Sequence, residues 1–317
     1  MILIVTNASD LTTDYIVLEL QRRAQPYFRL NAEDLPKARV TLGFESACDW
    51  SLELGDRRIC GATVSAAYFR RPGTPEIDSG VADQGERAYC AAEWSALLKN
   101  LYARLGKRWL SAPATIMEAE DKPRQLLAAK AAGFMVPDAI VTNDIAVADT
   151  FIGRGPSVAK PLREALLDGE TERVIFTNRV TQASARDARA FAAAPMIIQR
   201  EIIKHADVRV TVVGSVVLAA AIYSQVTAQA EVDWRAASEQ DLPYQAIDLP
   251  ASVRAQCIAL TAHFGLGFGA IDLVWDRDDA FWFLEINPNG QWAWIENRTG
   301  LPIAATIVDA LMDIAER

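Results

Sequence analysis

The chain has 317 residues, of which 51% are hydrophobic, and it carries a formal net charge of −9. That length and apolar content suffice for two or three packed subdomains, whereas the acidic balance disfavours nucleic acid, whose recognition needs a surplus of Lys and Arg on one face. No apolar run approaches the ~20 residues of a membrane span, and the start MILIVTNASD lacks the basic region of a signal peptide. We therefore expect a soluble, cytoplasmic protein without membrane or nucleic-acid partners.

Cysteine and histidine usage narrows the chemistry further. The four cysteines, which we predict to be buried structural thiols, show no CxxC spacing, and only two histidines occur. The small number of histidines therefore disfavours a His-rich metal site and a Ser-His-Asp triad.

The first hundred residues have the pattern of an α/β domain that opens with a βαβ unit. The predicted elements are strands over residues 2–6, 27–30 and 63–69, a helix over residues 12–23, and short extended pieces between residues 39 and 59. The last strand delivers Arg70 and Arg71 to its end, ahead of a Pro-Gly turn. Two guanidiniums there can hold carboxylates bidentately, or they can form a solvated charge pair beside the turn. The sequence leaves both interpretations open.

Two lysines stand at element boundaries in the second segment, which follows a long helix over residues 84–105. Lys122 opens a helix, and Lys160 ends a strand of sequence SVAK. An ammonium group on a strand beside Val158 and Pro161 is partly desolvated, which strengthens its attraction to phosphate. The alternative is a structural lysine at a frayed strand end.

Two arginines in the third segment also have two interpretations each. Arg209 follows a strand over residues 196–202 and lies in a hairpin strand, on the face opposite its valine neighbours. It could stabilise the charge on a transferring phosphoryl group, or it could pair with Asp207 on the same face. Arg235 follows Trp234 in a polar loop, and the two could bind an amphipathic peptide or anchor the loop.

A hairpin near the C-terminus gathers acidic and amide side chains on one face. Strand-like runs over residues 268–275 and 280–286 flank a polar four-residue turn. Because side chains alternate along a strand, the polar groups share one face and the apolar groups share the other. The polar face comprises Asp272, Glu285 and Asn287, and the apolar face comprises Ile271, Leu273, Leu284 and Ile286.

Three hard oxygen ligands at this spacing suit Mg²⁺ bound to nucleotide phosphates, because Mg²⁺ takes few protein ligands and completes its octahedron with phosphate oxygens and water. One carboxylate between two ions can also set up a two-metal clamp. The alternative is an edge hairpin whose polar face meets water. The loop that follows, which contains Trp292 and Trp294, favours the metal site.

The order of Asp272, a short hairpin and the run LEINP at residues 284–288 resembles the metal-binding end of ATP-grasp ligases. The continuation over residues 289–303 resembles one branch, the microviridin-type or graspetide peptide-cyclising ligases, which share Arg-Arg-Pro and Asp-Trp-Arg runs like those here. The resemblance implies an α/β (α+β) ATP-grasp fold with ATP bound between its last two domains. The implied domains are an N-terminal pre-ATP-grasp domain at residues 1–112, a central domain at 113–200 and a C-terminal domain at 201–317.

The resemblance also implies a role for each candidate residue. The nucleotide is expected at Lys122, Lys160, Gln199, Glu201, Ile203, Lys204 and Asp207, and a loop over residues 163–172 is expected to close on the triphosphate. Two Mg²⁺ ions are expected at Asp272, Glu285 and Asn287, and catalysis is expected from Arg209, Lys160 and Glu285. The substrate is expected at Arg70, Arg71, Trp234, Arg235, Asn289, Gln291 and Trp292.

The implied reaction begins when a carboxylate attacks the γ-phosphate of ATP, and a hydroxyl or amine then displaces phosphate from the acyl phosphate. In the resembled branch, Asp or Glu side chains of a ribosomally made precursor are joined to Thr or Ser as esters, or to Lys as amides, and a leader segment is recognised. Acidic core peptides would require a local positive channel, for which the candidates are Arg70, Arg71, Lys204, Arg209 and Arg235. The alternatives are a ligase that joins amino acids or adds glutamate to a protein or small peptide, and a non-catalytic nucleotide-binding module. A homodimer is compatible with the sequence.

Overall fold

The computed structural model describes residues 1–163, 166–167, 173–182, 187–228, 230–236 and 242–317. The predicted triphosphate loop over residues 163–172 falls largely outside these ranges. None of the described helices is both long enough and apolar enough to cross a membrane. The elements are grouped below by the sheet to which they belong.

The N-terminal region is built on a parallel three-stranded sheet in the order β2-β1-β6, and a second, antiparallel sheet is formed by β3, β4 and β5. Its elements are β1 (Ile2–Thr6), α1 (Leu11–Arg22), β2 (Tyr27–Asn31), β3 (Arg39–Leu42), β4 (Trp50–Leu54), β5 (Arg57–Cys60), β6 (Ala66–Phe69) and α2 (Gln84–Leu105). The predicted βαβ opening and the antiparallel pieces after it are therefore confirmed. Arg70 and Arg71 follow β6, as the sequence indicates.

The central region is an antiparallel four-stranded sheet in the order β11-β8-β12-β7. Its elements are α3 (Pro113–Ala119), α4 (Lys122–Ala131), β7 (Ala139–Thr142), α5 (Ile145–Ile152), β8 (Ser157–Lys160), β9 (Leu166–Leu167), β10 (Arg173–Val174), β11 (Asn178–Val180), α6 (Ala188–Ala192) and β12 (Met196–Arg200). The side chain of Asp121 accepts the N–H of Arg124 and caps α4, so the helix begins at Lys122. Lys160 ends β8, which lies between β11 and β12.

The C-terminal region is an antiparallel five-stranded sheet in the order β15-β14-β13-β16-β17. Its elements are β13 (Lys204–Val213), β14 (Val216–Ile222), β15 (Tyr244–Ile247), α7 (Ala251–His263), β16 (Phe268–Asp276), β17 (Phe281–Asn287), α8 (Ala293–Thr299) and α9 (Ile303–Ala315). Alternation buries Val208, Val210 and Ile271 against α7, at no more than 1% exposure. The polar side chains between them face the central region.

The predicted metal hairpin is present, but one side chain lies on the other face. Asp272 pairs with Glu285, whereas the next residue, Leu273, pairs with Phe283. This β-bulge makes Leu284 the extra residue of β17 and re-aims its side chain. The predicted place of Leu284 on the apolar face is therefore wrong: Phe283 is fully buried there, and Leu284 lines the cleft described below.

Two predictions about burial also need correction. Trp292 does not contact a substrate, because its side chain is fully buried in the core that joins α1 to α9 and it packs edge-on against Tyr15. Of the four cysteines, only Cys257 is buried, and the others are partly exposed. The hydrophobic core between the N-terminal and C-terminal regions was not evident from the sequence, because its members are separated by hundreds of residues.

Candidate active site

A cleft of about 940 Å³, including the space that opens to solvent, lies between the central and C-terminal sheets. Its walls combine an apolar set with a charged set. The apolar set is Val158, Ile175, Ile202, Val274 and Leu284, and the charged set is Lys122, Lys160, Arg200, Glu201, Lys204, Asp207, Glu231, Asp233, Arg235, Asp272 and Glu285.

The two carboxylates of the hairpin face each other across β16 and β17, and each one already has a cationic partner. Arg209 Nη1 donates to Asp272 Oδ2 at 3.0 Å, and Lys122 Nζ lies 3.2 Å from Glu285 Oε2. The pKa of Asp272 is raised to about 6, chiefly by burial and also by the charge of Glu285, while Arg209 opposes the shift. Burial acts on Glu285 in the same direction, but Lys122, Lys160 and Arg235 outweigh it and lower its pKa to about 2.

Lys160 lies on the central wall of the cleft, opposite β17. Its side chain is 8% exposed, and its Nζ lies 3.5 Å from the carbonyl oxygen of Leu284. Burial lowers its pKa to about 8, although Glu285 opposes the shift. A desolvated ammonium group facing a carboxylate pair is suited to attract phosphate oxygens.

Arg209 lies on β13 directly opposite Asp272. Its guanidinium stands over the ring of Trp234 at 5.7 Å, within the range of a cation–π contact. Trp234 in turn packs on Trp294 at 4.8 Å between ring centroids. Asp207, the partner that the sequence left open for Arg209, is used elsewhere. Arg209 therefore lies at the predicted metal hairpin, where it bonds Asp272.

Asp207 and Lys204 form a buried pair at the floor of the cleft. Lys204 Nζ donates to both carboxylate oxygens of Asp207 at 2.9 Å and to the carbonyl oxygen of Val232 at 3.0 Å. The hydroxyl of Ser224 donates to Asp207 at 2.5 Å. Burial raises the pKa of Asp207, and Lys204 opposes the shift. The pair lines the nucleotide cleft as expected, but its charges are already compensated.

Arg179 and Gln199 add polar groups to the cleft, one of them exposed and the other buried. Arg179 of β11 donates to Glu201 at 2.8 to 3.0 Å and to Glu231 at 2.8 Å, and so bridges two carboxylates of the cleft wall. Gln199 is buried, and its Nε2 has no hydrogen-bond partner within the described residues. That orphan donor is available to a ligand. Arg179 was not identified from the sequence, because an exposed arginine on a short strand carries no local signal.

Ile203 does not line the cleft. Its side chain is 70% exposed, and its neighbour Ile202 is the one that contributes to the wall. The side chain that faces the cleft is therefore that of Ile202. The nucleotide contact at Ile203 is expected from its main chain, which the exposure of its side chain does not contradict, and it stays a prediction.

The Asp-Trp-Arg loop places an additional cation beside Glu285. The carboxylate of Asp233 accepts the N–H of Thr177 at 3.0 Å and the Nε and Nη2 groups of Arg235, both at 2.8 Å. Arg235 Nη1 lies 3.9 Å from Glu285 Oε1. Asp233 therefore joins the central region to the C-terminal loop and orients Arg235 into the cleft. We expected a substrate contact at Arg235, and the structure places it beside the carboxylate cluster.

The two arginines after β6 behave differently from each other. Arg70 is 1% exposed, its Nε lies 2.9 Å from Asp10, and its Nη1 donates to the carbonyl oxygens of Asn289 and Gly290. It is therefore a buried tie between the N-terminal region and the loop after β17, which corrects its expected role as a substrate contact. Arg71 is exposed, and only its Nε bonds Asn289. Gln291 is exposed beside this loop.

Most of the cations of the expected positive channel already form ion pairs with carboxylates. Four of the five candidate cations have an aspartate partner: Arg70 with Asp10, Lys204 with Asp207, Arg209 with Asp272 and Arg235 with Asp233. Only Arg71 keeps an exposed guanidinium without an ion pair among the described contacts. An acidic ligand would therefore have to share or displace existing partners.

The side chains of the hairpin offer oxygen donors to a metal ion. Among the residues that the structure describes, no three His, Cys, Asp or Glu side chains gather into a metal-binding cluster. The predicted set has two carboxylates and one amide, and Asn287 Oδ1 also accepts the N–H of Asn289 at 3.0 Å. Two facing, partly buried carboxylates fit Mg²⁺ when phosphate oxygens supply the remaining ligands. A divalent ion there would replace the charge compensation that Arg209 and Lys122 supply to Asp272 and Glu285.

The geometry of the cleft agrees with comparisons to known proteins. No curated protein sequence matches the chain. The chain is similar to the macrocyclase MdnC bound with the precursor peptide MdnA from Microcystis aeruginosa (27% identity, 99% of each chain covered, TM-score 0.85). It is also similar to a Chryseobacterium gregarium RiPP-associated ATP-grasp ligase in complex with ADP and a leader and core peptide (26%, 98% and 96% covered, 0.88).

A third similar structure is the macrocyclase MdnB from Microcystis aeruginosa (28% identity, 98% of each chain covered, TM-score 0.78). The chain superimposes on these proteins over nearly its whole length, which includes the N-terminal region. A family model for the RimK-like ATP-grasp domain matches residues 119–311. The predicted ATP-grasp fold and the likeness to peptide macrocyclases are thereby confirmed, and the chain belongs to the RimK-like ATP-grasp family.

Proposed function

We propose that this protein is an ATP-dependent ligase that activates Asp or Glu side chains of a ribosomally made precursor peptide and closes ester or amide macrocycles with Thr, Ser or Lys side chains. The observation that best supports this proposal is the facing pair of carboxylates, Asp272 and Glu285. In the same cleft this pair is surrounded by four cationic side chains, those of Lys122, Lys160, Arg209 and Arg235. Similarity over the whole chain to ligases crystallised with precursor peptides supports the substrate class.

In this proposal the nucleotide occupies the cleft with its base at the apolar end of the wall. The unpaired Nε2 of Gln199 and the carboxylate of Glu201 are the hydrogen-bonding groups offered to the base and ribose. Lys122, Lys160 and Arg235 surround Glu285 and hold the phosphates. Because Lys160 is buried, its ammonium group attracts phosphate oxygens more strongly than a solvated one would.

The metal ligands in this proposal are Asp272, Glu285 and Asn287. Bound Mg²⁺ supplies charge neutralisation to the phosphate oxygens. We include two ions, which these three side chains would hold. Although burial opposes the shift, Lys122, Lys160 and Arg235 lower the pKa of Glu285 and keep this ligand ionised. A metal ion on Asp272 would take over the charge compensation that Arg209 supplies there, and the Arg209 guanidinium beside the ring of Trp234 would then be available to the transferring phosphoryl group.

The chemistry has two steps. A carboxylate oxygen of the peptide attacks the γ-phosphorus of ATP, the bond to the bridging oxygen breaks, and ADP leaves. A hydroxyl or amine of the same peptide then attacks the acyl carbon, loses its proton, and expels phosphate. The protein's contribution is positioning and charge stabilisation, and Arg209 is the residue placed to stabilise the negative charge in both steps.

The peptide in this proposal enters on the side of the exposed residues Arg71 and Gln291 and the half-buried Asn289, next to the end of β17. Arg71 is the cation there that has no aspartate partner, so it is suited to hold an acidic side chain. We also propose that the enzyme acts in the cytoplasm, where ATP and a newly made peptide are both available.

The proposal is tested by mass spectrometry of a candidate precursor encoded beside the gene. After incubation with the enzyme, ATP and Mg²⁺, we expect the peptide to lose one water mass for each ring, with one ADP formed per ring. A peptide of unchanged mass, together with ADP formation that depends on free amino acids, would contradict the macrocyclase and favour a small-substrate ligase. No ADP with any carboxylate would point to a non-catalytic module.

A further inference from the structure

Gln125 makes three buried hydrogen bonds that connect the metal-bearing strand to the helix that carries Lys122. Its side chain is 2% exposed within α4. Its Nε2 donates to the carbonyl oxygens of Ala119 at 2.6 Å and Ile286 at 2.7 Å, and its Oε1 accepts the N–H of Ile286 at 3.1 Å. One side-chain amide therefore satisfies both main-chain groups of Ile286.

Ile286 lies on β17, which is the edge strand of the five-stranded sheet. Edge strands present main-chain N–H and C=O groups that have no neighbouring strand. Two segments of the central region cover this edge: Gln125 bonds Ile286, and the carbonyl oxygen of Met135 accepts the N–H of Phe283 at 2.8 Å. The Gln125 amide thus takes the place of a peptide group from a sixth strand.

The position of Ile286 makes this contact important for the site. Ile286 stands between Glu285 and Asn287, so a shift of its main chain moves both proposed metal ligands. Lys122 precedes Gln125 by three residues, on the same side of α4, and its Nζ lies 3.2 Å from Glu285. The Gln125 amide therefore connects the helix that carries the ammonium group of Lys122 to the strand that carries the carboxylate of Glu285.

We propose that Gln125 is a positioning residue that sets the register between Lys122 and the metal ligands of β17. It touches neither phosphate nor metal. The inference rests on the proposed Mg²⁺–nucleotide site, but it does not depend on which substrate is ligated.

Only glutamine fits the contact. The site requires two donors, aimed at the carbonyl oxygens of Ala119 and Ile286, and one acceptor for an N–H. Glutamate has no donor to offer when ionised, methionine fills the volume without hydrogen bonds, and asparagine is one methylene too short. Loss of partners that orient metal ligands typically reduces metal affinity or activity about 10- to 100-fold.

The test is a titration with Mn²⁺ in the presence of a non-hydrolysable ATP analogue, followed by electron paramagnetic resonance. We expect Gln125→Met to weaken Mn²⁺ binding about tenfold or more. The matched control is Gln256→Leu, because Gln256 Nε2 also bonds a main-chain carbonyl next to α4, that of Gly133 at 2.9 Å, but this bond does not involve the main chain of Ile286. The control should bind Mn²⁺ like the parent.

Two outcomes would overturn the proposal: Gln125→Met binds Mn²⁺ as tightly as the parent, or Gln256→Leu weakens binding to the same extent. Should the methionine variant fail to fold, hydrogen exchange of the parent supplies the decision, since an Ile286 N–H that exchanges without protection refutes the bond itself. Gln125→Asn adds a second variant, in which faster Ile286 exchange must accompany weaker Mn²⁺ binding. Neither measurement uses a peptide, so failure here is separable from failure of the macrocyclase proposal.

Discussion

The two walls of the cleft are built on different physical principles. The C-terminal wall is a five-stranded sheet whose far face is buried against α7, with Val208, Val210 and Ile271 at no more than 1% exposure. The central wall is a four-stranded sheet whose buried cluster, among the described residues, has Ala148, Phe151 and Ile198 at its centre. One wall is therefore held by apolar packing, and the other has a small core of its own.

Polar bridges compensate for the weaker core of the central wall. Asp233 joins the N–H of Thr177 to the C-terminal loop, Arg179 spans Glu201 and Glu231, and Gln125 bonds β17. The exposed bridge made by Arg179 can exchange partners with water or ligand at modest cost, whereas a packed core cannot. The proposed metal ligands therefore lie on the wall that is held by apolar packing, and the proposed phosphate contacts Lys122 and Lys160 lie on the wall that is held in part by polar bridges.

The largest effect is expected on the wall that is held by apolar packing, at Glu285. Glu285→Gln removes a metal ligand and leaves Lys122, Lys160 and Arg235 without their shared carboxylate. We expect ATP-dependent turnover to fall about 10³-fold, which corresponds to about 4 kcal/mol of lost transition-state stabilisation. The measurement is ADP release at saturating ATP. A variant that retains a tenth of the parent rate would show that Glu285 is not a metal ligand.

A slightly smaller effect is expected at Arg209. Arg209→Lys keeps the charge but loses the planar group that bonds Asp272 and stands over Trp234. We expect kcat to fall about 10²-fold with little change in the KM for ATP, because the group acts on charge that develops in the transition state. The control is Arg254→Lys. Arg254 lies on α7, and its Nη1 donates to the main-chain carbonyl oxygen of Val217. Equal losses in both variants would contradict the role of Arg209.

A moderate effect is expected where the two walls are joined. Asp233→Asn keeps the shape of the side chain but weakens its bonds to Thr177 and Arg235. We expect the KM for ATP to rise about tenfold, because the loss of one charged hydrogen bond is worth about 1.5 kcal/mol or more. Steady-state kinetics at several ATP concentrations measure it. A change confined to kcat would indicate that the bridge acts on chemistry instead of nucleotide binding.

The smallest effect is expected at the mouth of the cleft. Arg179 is half-exposed, and exposed ion pairs contribute at most about 1 kcal/mol. Arg179→Gln should therefore change nucleotide affinity by about fivefold or less, and the change should shrink as salt is raised. Isothermal titration with ADP at two salt concentrations is the measurement. An effect larger than that of Asp233→Asn would reverse the order of the two bridges.

The sequence allowed the C-terminal wall to be predicted more fully than the central one. Alternation in two long strands placed Asp272 opposite Glu285, and a strand ending in Lys-Pro indicated Lys160. The bulge at Leu284 was not predictable, because it depends on register against a partner strand. Gln125 escaped notice for a related reason: its bonds reach a residue 161 positions away.

Burial was the other source of error. The resemblance implied a substrate role for Trp292 and Arg70, and the place of Arg70 at the end of a strand was compatible with that role. Trp292 is instead packed in a core that joins α1 and α9, and Arg70 is neutralised by Asp10. Both outcomes depend on how the N-terminal region docks on the C-terminal sheet. Local sequence patterns contain no information about such docking.

We propose that this cleft activates a peptide carboxylate by transferring the γ-phosphoryl group of ATP to it. The most direct measurement uses a precursor whose Asp and Glu carboxyl groups carry ¹⁸O, followed by mass analysis of the phosphate released. We predict one ¹⁸O atom in the phosphate for each ring closed, because the attacking carboxylate oxygen leaves with the phosphoryl group. Unlabelled phosphate accompanied by ring closure would contradict activation through an acyl phosphate.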